Sequence, residues 1–230
     1  MQFSYFMASI YCLSIHQPLN AAELQHQIAE AYGLSQFNQI EEIDFTFNVM
    51  IGQKNIQRKW SWHPASGKVT LFPGDSQNES STYFRNELKT SPDETLKKID
   101  HWFVNDVYWL LFPFQVAWDK TVMVQDMGID KLPIGQGSAR RIMVTYPSEG
   151  GYTPGDIYEM YVDDNHLLVE WVYRQGGSEM PTRISTWEKN QKVGPILISM
   201  EHQGKDENFR VWFTDVKAKL KGSDRWVTPK

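Results

Sequence analysis

EEIDFTFNVMIGQKNIQRKWSW, residues 41–62, decides the fold. Ile43, Phe45, Phe47, Val49 and Ile51 alternate with Asp44, Thr46, Asn48 and Met50. Period two over nine residues is the mark of a strand with one face in a core. Beyond Gly52 the alternation resumes, with Ile56, Arg58, Trp60 and Trp62 on one face. The connection GQKN (52–55) is short and opens on Gly, as a hairpin would. HPASGKVTLF (63–72) adds a turn and a third strand, and PGDSQNESS (73–81) reads as a polar loop.

The second half of the chain continues in the same idiom. SARRIMVTYP (138–147), DIYEMYVDD (156–164), HLLVEWVYRQ (166–175), TRISTWE (182–188), GPILISMEH (194–202) and FRVWFTDVKAKL (209–220) read as strands separated by turns. Asp163-Asp164-Asn165 marks a tight hairpin, and YTPGD (152–156) a turn that Asp156 caps. In the last strand Phe209, Val211 and Phe213 alternate on one phase and Val216, Ala218 and Leu220 on the other. Such a phase change near Thr214–Asp215 predicts a bulge in a strongly curved sheet.

Two helices interrupt the strands. Leu24, Ile28, Ala31, Tyr32 and Ser35 share one helical face over 23–36. Ser91-Pro92-Asp93-Glu94 predicts a helix start, with Ser91 as cap, Pro92 in the first turn and Glu94 closing a capping box. Leu96, Ile99, Trp102 and Phe103 then follow a helical stripe. It leads into NDVYWLLFPFQVAWD (105–119), the densest apolar stretch in the chain. Its uninterrupted apolar run, VYWLLFPF, is far short of the roughly 20 residues that a membrane span needs. The helix is expected to end before Pro113, because a residue preceding proline disfavours helical dihedrals.

About nine strands in meander order give a mainly β (α+β) fold. Residues 167–173 are apolar on both faces, whereas an antiparallel sheet usually wets one. The helical segment 92–112 is the candidate cover. The expected architecture is a large curved antiparallel sheet forming a half-open barrel, with a helical lid or plug. Such barrels enclose ligand cavities.

The first 22 residues hold no Asp, Glu, Lys or Arg and end in small residues. They read as a secretory signal peptide cleaved near Ala21 or Ala22, leaving 23–230 as a single exported or periplasmic domain. Cys12 is the one cysteine of the chain. Its removal leaves no disulfide, thiolate nucleophile or Cys metal site. The net charge of −5 is scattered over 230 residues, so no nucleic-acid surface is expected.

No motif names a reaction. His63, His101, His166 and His202 are dispersed without metal-ligand spacing, and no cofactor is expected. GGYTPGD lacks the context of a phosphate loop, and Gly135-Gln136-Gly137-Ser138 is not a nucleophile elbow. Aromatic residues dominate instead. Trp60, Trp62, Trp102, Tyr108, Trp109, Phe112, Phe114, Trp118, Tyr158 and Trp171 exceed what a simple core needs. With Arg58 and Asp106 they form the candidate ligand-binding set.

FTFNV (45–49), RKWSW (58–62), NDVYWLLFPFQVAWD (105–119), YTPGDIYEMYVDD (152–164), EWVYRQGG (170–177) and GPILISMEHQGKD (194–206) together resemble a family of uncharacterised exported bacterial proteins. That family is similar in architecture to the periplasmic lipoprotein carriers and their outer-membrane receptors (LolA/LolB-like). The resemblance spans roughly residues 40–220. It implies an incomplete antiparallel barrel around a helical lid that holds acyl chains, and transfers no carrier-specific motif.

Three readings follow. One is an exported carrier or binding protein for an apolar or lipid-like small molecule, with an envelope protein as a further partner. Another is an enzyme on the same scaffold, using Asp106, Asp156 or Glu170 as acid or base. The third is a structural envelope module whose interior is filled by its own side chains. A cavity, and the residues on its wall, discriminate among them.

Overall fold

The computed structural model describes residues 21–74, 78–90 and 93–230. The leader expectation falls almost wholly outside these residues, as do Ser91 and Pro92. The chain begins with α1 (Ala21–Ala31) and a 3-10 turn (Leu34–Gln39). Then come β1 (Ile40–Ile51), β2 (Lys54–His63), β3 (Lys68–Leu71), β4 (Ser81–Phe84) and the long helix α2 (Glu94–Trp118). Five strands follow: β5 (Met123–Lys131), β6 (Ser138–Thr145), β7 (Ile157–Val162), β8 (Leu168–Arg174) and β9 (Arg183–Thr186). The chain closes with β10 (Glu188–Val193), β11 (Ile196–Gln203), β12 (Phe209–Leu220) and β13 (Trp226–Val227).

The strands form two antiparallel sheets. The large sheet runs β10-β11-β12-β1-β2-β3-β4, with β13 on β12, and the small sheet runs β5 to β9 in chain order. An isolated bridge between Ser185 and Gly204 joins them at one seam. Neither sheet closes on itself, and α2 fills the space between. The result is a half-open barrel around a helical plug.

The first hairpin forms as its alternation requires. Ile51 pairs with Lys54 around the two residues Gly52 and Gln53, and Gly52 takes a positive φ of 59°. That puts glycine first in a two-residue turn, where a type II′ hairpin prefers it. The expected bulge is present. The β1–β12 register slips between Asp44 and Thr46, and Asp215 adopts φ 53°. Thr46 Oγ1 donates to Asp215 Oδ2 over 3.0 Å, which secures the bulged residue.

Several expectations are corrected. Helix α1 stops at Ala31, and Gly33 (φ 96°) turns the chain. A Cβ on Gly33 would lie 2.5 Å from the Pro195 carbonyl oxygen, so the close approach to β11 requires glycine. The cap of α2 is Asp93, which accepts from Thr95 N (2.8 Å) and Leu96 N (3.1 Å). Glu94 is the first helical residue and pairs with Lys97 at 2.7 Å. The described residues hold thirteen strands, not nine. Residue 81 opens β4 instead of ending a loop.

Helix α2 also runs through Pro113 to Trp118. The break lies two residues earlier, where Leu111 takes φ −132°, ψ 27°. Thirteen of its residues are buried, around every face. Tertiary burial of this kind outweighs a local proline penalty of about 3 kcal/mol.

The two faces of β8 are covered by different elements. Trp171 packs inward against α2, as expected. Val172 belongs to a separate small cluster with Ala139 and Tyr161, flanked by Leu132 and Ile184. The cover on that outer side is the segment after β5. Glu170 pins it, accepting from Ile134 N and Gly135 N, both at 2.7 Å.

Candidate binding cleft

A cleft of about 460 Å³ opens between α2 and the two sheets. Each wall shows its element's period. Helix α2 contributes His101, Val104, Asn105, Tyr108 and Trp109, the i, i+3, i+4, i+7, i+8 face. From the large sheet come Phe47 and Val49 on β1, Ile56 and Arg58 on β2, and Phe209 and Val211 on β12. Alternate residues of a strand share a face, so each pair is two apart. The small sheet supplies Tyr158, Trp171, Tyr173 and Arg183, and the segment before β7 supplies Tyr152, Thr153 and Asp156.

The twelve candidate residues divide four ways. Arg58, Tyr108, Trp109, Tyr158 and Trp171 line the cleft. Trp62 and Trp118 face a separate hollow of about 410 Å³, shared with Leu34 and Phe37. Trp60, Phe112 and Phe114 are fully buried packing residues. Trp102 is half-buried on α2, near the Arg58 guanidinium (5.8 Å), while Asp106 is sealed behind Arg58.

Asp106 is met on every side. Arg58 donates through Nε (2.7 Å) and Nη2 (2.5 Å), Trp60 through Nε1 (2.8 Å) and Asn105 through Nδ2 (3.0 Å). Burial pushes its carboxyl pKa upward, against the Arg58 charge and these donors. The other two proposed acids are also committed. Glu170 holds the outer loop, away from the cleft. Asp156 does not cap its own turn. It crosses to the end of β8, accepting from Gly176 N (2.8 Å) and Tyr173 Oη (3.0 Å). The antiparallel register that sets Ile157 opposite Arg174 places it there. Asp156 and Arg58 therefore share the cleft, each already engaged by protein groups. Burial raises the Tyr108 and Tyr158 hydroxyl pKa values, so both stay neutral phenols.

Two further features flank the cleft. Tyr152 reaches from the loop between β6 and β7 to Asp100 on α2, which Tyr83 Oη (3.0 Å) and Arg85 Nε (2.8 Å) also engage. Deeper in, His202 is fully buried against Trp187 (ring centroids 4.0 Å apart) and Trp109 (5.3 Å). Neither ring nitrogen meets a partner in hydrogen-bond geometry. Desolvation pushes its pKa down to about 3, although the Thr186 and Trp109 backbones favour the charged form. Pro113 has no N–H to offer the Trp109 carbonyl, which leaves that oxygen free to face the imidazole. Among the described residues no group of His, Cys, Asp and Glu could hold a metal ion.

Several lining residues were not singled out from the sequence: Phe47, Val49, Phe209 and Val211, with Tyr173 and Arg183. The first four were visible as the inward phase of β1 and β12. Arg183 carries no local signal.

Fold and cleft define a half-open, two-sheet barrel built around a buried helix, with an amphipathic groove along that helix. No family model and no curated protein matches the chain. Among solved structures it is similar to a DUF1329 family protein from Desulfovibrio piger, at TM-score 0.48 and 11% identity, over 90% of this chain and 96% of that one. It is also similar to a putative outer membrane lipoprotein-sorting protein domain from Vibrio parahaemolyticus, at TM-score 0.48 and 6% identity, over 89% and 94%. At these values neither likeness carries a functional argument.

Proposed function

We propose that this is an exported binding or carrier protein for a lipid-like or otherwise apolar small molecule held in the cleft. The observation that carries the reading is the lining. Phe47, Val49, Trp109, Trp171, Phe209 and Val211 face about 460 Å³ of space. That volume lies within the range of small-molecule sites, which are apolar with a few placed polar groups. Each buried methylene contributes about 0.8 kcal/mol, so a ten-carbon chain offers about 8 kcal/mol before ordering costs. Export is supported by the uncharged first 22 residues, and no helix among the described residues is long and apolar enough to cross a membrane.

Two measurements test this. Organic extraction of protein purified from its native host, followed by mass spectrometry, is expected to yield an acyl-chain compound. Delipidated protein is expected to bind laurate or a fluorescent fatty acid with a change in tryptophan emission, because Trp109 and Trp171 line the cleft. A protein that carries nothing and binds neither probe is not a carrier of this kind. For export, the intact mass of native protein is expected to correspond to a start near Ala22 or Glu23. A mass that includes Met1 removes that part of the reading.

A further inference from the structure

The charged side chains on the cleft differ in how they are met. Arg58 is bound by the buried Asp106, and Asp156 by Gly176 and Tyr173. Arg183, the first residue of β9, pairs through its backbone with Tyr173, but its guanidinium makes no hydrogen bond and no ion pair with any described residue. Its guanidinium carbon lies 4.0 Å from the centroid of the Phe209 ring. Stacking on a ring face occupies the plane of a guanidinium and leaves its edge donors free. Asp206 is the carboxylate whose charge acts on it, without forming an ion pair with it. Partial burial pulls the Arg183 pKa down, the mark of a cation stripped of some of its water.

An arginine held partly out of water with no carboxylate paired to it is left with donors that an anionic ligand can meet. The fork of N–H donors fits a carboxylate or a phosphate. Beside it the apolar lane begins. Phe209 lies beneath the guanidinium, Val211 is two residues further along the same strand face, and Trp109 packs 5.6 Å from Phe209 across the cleft. Head-group donor and chain-sized lane are therefore contiguous.

We infer that the cleft takes an anionic amphiphile, its carboxylate or phosphate head on Arg183 and its apolar chain along Phe209, Val211, Trp109 and Phe47. This rests on the carrier reading of the cleft and narrows it to one charge class. Asp156, on the same small-sheet wall, sets the count: one free cation against one engaged anion suits a single negative head better than a polyanion.

The experiment compares ligands with one chain and different heads on delipidated protein, below their micelle concentrations. Dodecyl phosphate is expected to bind at least tenfold tighter than dodecyl maltoside or dodecyltrimethylammonium, and inorganic phosphate alone is expected to show no binding in the micromolar range. Arg183→Gln is expected to lose at least tenfold in affinity for dodecyl phosphate, with less than twofold change for dodecyl maltoside and an unchanged melting temperature. Arg183→Lys, which keeps the charge without the fork, is expected to fall between. Equal binding of all three heads, or an unchanged preference in Arg183→Gln, overturns the anionic inference and leaves the carrier reading standing. Failure of every dodecyl ligand to bind removes both. Inorganic phosphate binding as tightly as dodecyl phosphate would make Arg183 a plain anion site and overturn the amphiphile. If Arg183→Gln does not fold, the head-group series on the unaltered protein decides.

Discussion

The two halves of α2, divided at Leu111, are buried by different means. The first half carries Asp100 and Asp106, each met by an arginine from outside the helix, Arg85 and Arg58. The second half, Phe112 to Trp118, contains no charged residue and packs by rings. Phe114 lies 5.2 Å from Phe37 and 6.3 Å from Tyr32, and Trp118 lies 4.7 Å from Phe37. A bidentate ion pair fixes the rotation of a helix about its axis, because its donors have direction. Ring packing tolerates rotation far better. The half that needs a fixed rotation is the half whose 101/104/105/108/109 face lines the cleft.

The largest expected effect comes from breaking that anchor. Asp106→Ala leaves Arg58, 9% exposed, without its counterion and is expected to cost about 3–5 kcal/mol in urea unfolding. Replacing both partners, as Arg58→Met with Asp106→Leu, is expected to recover most of that loss while loosening the helix orientation. A single mutant costing under about 1 kcal/mol would remove the contrast between the halves.

Phe114→Ala probes the other half. It is expected to cost about 3 kcal/mol of stability and to leave affinity for an acyl probe unchanged in the folded fraction. A selective loss of affinity would mean that the ring-packed half also shapes the cleft.

His202 sits where the halves meet, against Trp109. Its pKa is about 3 when folded and near 6.5 when unfolded, so below pH 6.5 the unfolded chain binds a proton that the folded one refuses. Stability is therefore full above pH 6.5 and falls as the pH drops toward 3, by about 2 kcal/mol at pH 5. Urea titrations at pH 7 and pH 5 measure this, and His202→Leu is expected to abolish its share of the difference. A difference that persists undiminished in His202→Leu has another source.

The smallest expected effect is at Trp118, which is 37% exposed at the end of the ring-packed half. Trp118→Ala is expected to cost about 1 kcal/mol or less. An effect as large as that of Phe114→Ala would place the hollow it shares with Trp62 within the core.

The interior strands were legible in the sequence, and of the four strands that end the two sheets only β9 was. β1, β2 and β12 bury one face in a continuous core, and their apolar residues alternate accordingly. The strands that went unread, β4, β5 and β10, are all edge strands, with β13 paired outside the main order. β10 reads EKNQKV and β5 MVQDMGIDK. Edge strands need no deep apolar face and gain from charge, which discourages pairing with other chains. Their strand character comes from the neighbour they pair with. The same limit governs the site. Tyr108 and Trp109 were legible as aromatics of the apolar stretch that follows the helical stripe. Asp106 behind Arg58 joins positions 48 residues apart, and the isolation of Arg183 is a fact about absent neighbours that no local pattern records.

The central pairing of the large sheet has a consequence in time. β1 and β12 set Ile40 opposite Leu220, so the middle of that sheet is stitched from opposite ends of the chain. The small sheet, by contrast, is a succession of nearest-neighbour hairpins. Contacts between distant residues incur loop-closure entropy before they return anything, and they form slowly. The small sheet is thus expected to form early, and the β1–β12 seam late. Phe47 stands on one strand of that seam and Phe209 on the other, so the cleft they line is expected to be complete only once the last long strand has docked.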